Sequence, residues 1–153
     1  MKLGSDMQRV SLVLATNTEQ TMITSVNCTK HELGGCDSGV YNATKSNSEK
    51  IGQIPIYKEL VIGDNWRLSG VNMTEVLYFS NGVSQVDKNM PLYLITDVNA
   101  KDFKTFPFEG VLGLSPNVPD NNYTSLGKAI PLHLKDMQMV DNAFVGINMF
   151  KDT

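Results

Sequence analysis

Apolar residues in this chain come in short runs, separated by turn-forming residues at roughly every eight to twelve positions. Sustained 3.6-residue periodicity is scarce. That pattern restricts the chain to a mainly β architecture, because short β-branched and aliphatic segments bounded by Gly, Asn, Ser and Thr suit strands and turns. "RVSLVLA" alternates, "MPLYLITDV" and "GVLGL" are apolar runs, and "NAFVGINMF" reads as a late strand. "EVLYF" runs into Asn81-Gly82, a pair that favours a tight hairpin turn. "SLVLATNTEQTMI", Ser11 to Ile23, reads as strand, tight turn and strand. One longer stretch, Thr124 to Met139, has apolar residues at 126, 130, 134 and 137, which predicts a helix. Pro131 falls inside it and is expected to break or kink it. "NATKSNSEK" predicts a polar loop with at most one turn of helix. Met137, Met139 and Met149 are expected to fill the core. No internal repeat and no Pro/Gly/Ser-rich linker divides residues 1–153, so one domain is expected.

A net charge of −3 argues against a nucleic-acid partner, which would call for a basic patch. No run of about 18 apolar residues predicts a membrane span. The start, "MKLGSDMQRV", lacks the apolar segment and cleavage site of a signal peptide. The expectation is either an intracellular protein or the mature part of a longer precursor. Cys28 and Cys36 flank His31, but a structural zinc site needs four ligands and no second Cys/His pair is present. No metal site is expected. The two cysteines read as a disulfide in an oxidising compartment, or as two thiols in a reducing one. Asn-X-Thr sequons occur at Asn27, Asn42, Asn72 and Asn122, against about two expected by chance, which leans toward a secretory history.

Four segments in order resemble the N-terminal lobe of the pepsin-like aspartic proteases. Leu3-Gly4-Ser5, Gln8 and Ala15-Thr16-Asn17-Thr18 stand where that family has a Gly-containing turn, a Gln and the catalytic Asp-Thr-Gly-Ser loop. "VNCTKHELGGCDSGVYNATKSNSEK" is similar to the Cys-to-Cys loop that follows. Ile62-Gly63-Asp64-Asn65-Trp66 and then Gly70 resemble the flap hairpin. "FPFEGVLGLSP", Phe106 to Pro116, is similar to the segment that packs beside the catalytic loop. The resemblance covers Leu3 to about Phe150 and implies a partial β-barrel or sandwich lobe of the six-stranded type, with one or two short helices. It implies a secretory, vacuolar or extracellular location and no cofactor. Val13, Ile62, Phe103, Phe108 and Val111 match positions lining the family's primary substrate pocket.

The chemistry of that family needs two carboxylates that share a proton, one contributed by each of two lobes. Ala15 stands at the Asp position and has no titratable group. Asp64 falls on the flap and Glu19 past the turn, so neither is in register with the missing Asp. Asn17 for Gly and Ile62 for the flap Tyr depart from the pattern as well. Three departures together read as native loss of catalysis, with a deliberate Asp→Ala replacement as the alternative. The implied role is a pseudo-peptidase lobe that binds a peptide or protein, a second protease-like lobe or a larger assembly. The alternative is one part of an aspartic endopeptidase whose other lobe lies outside this chain.

Overall fold

The chain's structure, a computed structural model, describes residues 1–29, 36, 41–47, 50–51, 58–62, 66–79, 84–99, 109–115 and 129–147. In chain order the strands are β1 (Lys2–Leu3), β2 (Gln8–Arg9), β3 (Leu12–Ala15), β4 (Met22–Thr29), β5 (Lys50–Ile51), β6 (Lys58–Ile62), β7 (Trp66–Phe79), β8 (Ser84–Asn99) and β9 (Gly110–Gly113). One turn of 3-10 helix covers Ala43–Lys45, and α1 spans Ile130–Asp136. The strands join in one curled, half-barrel sheet with the order β2-β1-β7-β8-β4-β9-β3, and β5 and β6 add to β7 off this path. The architecture is that of a pepsin-like lobe, as the sequence resemblance implies.

The centre of the sheet is buried on both faces, and the sequence explains why. A strand sends alternate side chains to opposite faces, so a strand covered on both reads as a continuous apolar run. In β8, Leu92 and Leu94 enter one buried cluster with Leu3, Ile23, Val71, Met73 and Leu77. Tyr93 and Ile95 enter a second cluster with Met22, Leu68, Val98 and the two cysteines. Leu68 and Val71 of β7 fall on opposite faces by simple alternation, whereas β8 changes faces between Ile95 and Val98, where its pairing with β7 steps from Ser69–Asp97 to Gly70–Ile95 and leaves Thr96 as the extra residue. A bulge moves the side chains of a strand across the sheet in this way. Cys28 and Cys36 form a disulfide with a Cα–Cα separation of 5.6 Å, and both are buried in the second cluster.

Three expectations are corrected by the structure. The helix begins at Ile130, with Pro131 in its first turn, so the proline starts the helix instead of interrupting it. Proline suits that position because the first N–H groups of a helix have no partner inside the helix. Residues 143–147 of the expected late strand form no strand, and Phe144 is 80% exposed. Alternation fixes which side chains would share a face, but a strand also needs a partner edge. Met137 and Met139 are exposed on the last turn of α1 and beyond it, and do not fill the core. Met149, the Asn81-Gly82 turn and residues 124–128 lie outside the described residues.

Candidate functional site

β3 ends at Ala15, whose register partner on the parallel strand β9 is Gly113. The chain turns through Thr16 and Asn17, both exposed, and continues through Thr18 to the buried stretch Glu19–Thr21 before β4. β9 lies between β3 and β4, parallel to the first and antiparallel to the second. The strands on either side of the turn are therefore not a hairpin, because a remote segment is inserted between them. Glycine makes this crossing possible. A Cβ on Gly110 would strike the Met22 carbonyl oxygen, and one on Gly113 would strike the backbone of Glu19.

Hydrogen bonds hold the loop to β9. The Leu114 N–H donates to the Ala15 carbonyl at 2.9 Å, and the Ser115 N–H donates to the Thr18 carbonyl at 3.0 Å. The Thr18 hydroxyl oxygen accepts from the Gln20 N–H at 3.2 Å, and the Thr21 hydroxyl oxygen accepts from the Gly113 N–H at 3.3 Å. At the other end of the crossing, the Glu109 N–H donates to the Ser11 carbonyl at 2.8 Å. The Glu109 carboxylate accepts from the Ser11 N–H at 2.7 Å. The loop is thus fully built around a methyl group. Glu19, the acidic residue closest to Ala15 along the chain, is buried, and its Oε2 has no hydrogen-bond partner among the described residues.

The first turn of the chain is also built. Gly4 has φ of 80°, a backbone angle that suits glycine, and its N–H donates to the Val76 carbonyl. Gln8 grips the backbone of Asn42 with both ends of its amide. Its Nε2 donates to the Asn42 carbonyl at 2.8 Å, and its Oε1 accepts from the Asn42 N–H at 2.7 Å.

Among the pocket candidates, Val13 and Val111 are direct register partners, on the face that carries the disulfide cluster. Ile62 pairs with Trp66 at the end of the β6–β7 hairpin, so the two share the tip of that ribbon. Gly63, Asp64, Asn65, Phe103 and Phe108 lie outside the described residues.

Sequence reasoning missed the opposite face of β3. There Leu14, Leu114, Ile130, Leu134, Phe144 and Ile147 line an apolar cavity of about 440 Å³. A second cavity of about 240 Å³ runs from Phe144 and Ile147 to Thr16 and Ser115, beside the Ala15 turn. Leu14 is 51% exposed on β3, the last strand of the sheet among the described residues. The signal available in the sequence was the apolar pair Leu12 and Leu14, which alternation puts on one face of the strand.

A sequence model of the eukaryotic aspartyl protease family matches residues 1–151. No curated protein matches the chain in sequence.

Proposed function

The chain belongs to the eukaryotic aspartyl protease family, and from that premise we propose that it is a catalytically silent lobe that binds a peptide or protein partner. The observation that carries the proposal is Ala15, at the end of β3 in a loop whose hydrogen bonds to β9 are all in place. Acid-protease chemistry requires a carboxylate there to take a proton from water and share it with a second carboxylate. An alanine methyl group can do neither. Because the scaffold around it is intact, binding and structural roles survive the loss of chemistry.

Two surfaces support a binding role. The ribbon tip at Ile62 and Trp66 and the paired Val13 and Val111 are the peptide-binding candidates of this reading, with Phe103 and Phe108 as candidates from the sequence resemblance alone. The exposed apolar surface of Leu14 and Phe144, beside the cavity along α1, suits an apolar segment of a partner. A second protease-like lobe and a larger assembly are both partners of this kind.

The test is an assay of the native protein on a mixed peptide library at acid pH. The expected result is no hydrolysis, together with retention of a subset of peptides or of a co-purifying protein. Cleavage abolished by an aspartic-protease inhibitor overturns the proposal. A second reading, one part of an active endopeptidase, draws on the family match and the preserved loop geometry. It is separated by Ala15→Asp in a chain that also carries a second lobe with its Asp. Hydrolysis by the unsubstituted two-lobed protein favours that reading. Hydrolysis only after the substitution favours the silent lobe.

A further inference from the structure

We infer that Asn42 is an N-glycosylation site, and that of the sequons at Asn42 and Asn72 only the first carries a glycan. The two share the Asn-X-Thr pattern and both are half-buried, but one caps a turn and the other lies within a paired strand.

Asn42 precedes the 3-10 turn Ala43–Lys45 and caps it. Its Oδ1 accepts from the Thr44 N–H at 3.1 Å and from the Thr44 hydroxyl at 2.7 Å. Both contacts lie within three consecutive residues, so the unfolded chain can form them as readily as the folded one. The arrangement suits the transfer reaction. The Thr44 hydroxyl, donating to the amide oxygen, fixes the side chain so that Oδ1 is engaged and Nδ2 is left as the reacting atom. Nδ2 has no hydrogen-bond acceptor in the structure among the described residues. The donor is an oligosaccharide carried on a lipid pyrophosphate. A bond forms between Nδ2 and the anomeric carbon of the first sugar. The bond from that carbon to the pyrophosphate oxygen breaks, the lipid pyrophosphate leaves with the electron pair, and Nδ2 releases one proton.

The fold accommodates the product. Thr44, Lys45 and Asn47 around the acceptor are exposed, and the backbone of Asn42 is anchored separately by Gln8. The disulfide Cys28–Cys36 supplies an independent pointer to compartment, because such bridges form where the environment is oxidising, as it is where N-glycans are added. Asn72 is different. It lies in the middle of β7, opposite the fully buried Tyr93 on β8, and its Oδ1 is buried. A glycan on Asn72 would have to leave from the middle of a paired strand, from an amide whose oxygen is already enclosed beside Tyr93. Asn27 is exposed, but the middle residue of its sequon is Cys28, which must close the bridge to Cys36.

The experiment treats the protein isolated from the cells that make it with peptide N-glycosidase in heavy-oxygen water, then maps labelled Asp by peptide mass spectrometry. The expected result is label at position 42 and none at position 72. Asn42→Asp keeps an acceptor for the cap while removing the amide, so the variant should fold with an unchanged circular dichroism spectrum and lose one glycan. Thr44→Ser should keep that glycan and Thr44→Ala should lose it. Unmodified Asn42 in the native protein, label at position 72, or a glycan mass unchanged in Asn42→Asp each overturns the inference.

Discussion

Glu75 has no exposed surface, and its carboxyl group is hydrogen-bonded by Tyr41 from a distant part of the chain and by its own neighbour Val76. The Tyr41 hydroxyl donates to its Oε2 at 2.5 Å, and the Val76 N–H donates to its Oε1 at 2.7 Å. A buried polar group that loses a donor keeps its desolvation cost, so Tyr41→Phe should cost about 2 kcal/mol. Urea unfolding measures it, and a loss below about 0.5 kcal/mol would show that the pair is not a structural pin. Steric limits act at the same scale. Gly113→Ala places a methyl group against the Glu19 backbone, which lacks the freedom of a side-chain end. A cost of about 2–3 kcal/mol is expected, with the Ala15 loop displaced from β9. Gly146→Ala is the control, because a Cβ there meets nothing within 4 Å and should change stability by less than about 0.5 kcal/mol.

Among the elements, α1 shows how a residue's meaning depends on where a helix starts. With Pro131 in the first turn, Pro131→Ala should change stability by less than about 1 kcal/mol. Lys135→Pro, near the end of the same helix, should cost about 3 kcal/mol by removing a hydrogen bond and crowding the preceding turn. Equal effects at the two positions would place the helix boundary elsewhere. The strands were the legible part of this chain, because two-sided burial writes "MPLYLITDV" directly into residue order. "FEGVLGL" was legible for a different reason, since its two glycines are required wherever backbones cross. The insertion of β9 between β3 and β4 was not legible from residue order alone, because it joins segments about a hundred residues apart and no local pattern encodes such a pairing. The apolar cavity was hidden for the same reason, being assembled from β3, β9, α1 and the segment after it. At the candidate site, the position of Ala15 was readable from motif order. The hydrogen bonds that hold an empty loop in shape were not.

At the scale of the whole molecule, the long hairpin of β7 and β8 is the common neighbour of nearly everything else. β7 pairs with β1, β5, β6 and β8, and β8 continues the sheet to β4. Removing that ribbon would leave only the short pair β1–β2 and the set β4–β9–β3, unconnected to each other, so we propose that residues 1–153 unfold as one cooperative unit. Calorimetry should show a single transition with equal calorimetric and van't Hoff enthalpies. Two transitions would divide the chain and overturn the single-domain reading. Hydrogen exchange should be slowest at β7 and β8, because amides open only globally where every neighbour depends on them. The disulfide bears on the same unit from outside the ribbon. Its loop is short, with the two cysteines eight residues apart, so closing it removes limited freedom from the unfolded chain, worth about 2–3 kcal/mol. Both cysteines also pack in the cluster with Tyr93 and Val98 of β8, which ties the bridge to the central strand pair. Reduction should therefore lower the midpoint of the one transition without splitting it. A reduced protein that melts in two steps would mean that the bridge, and not the sheet, joins β4 to the rest of the molecule.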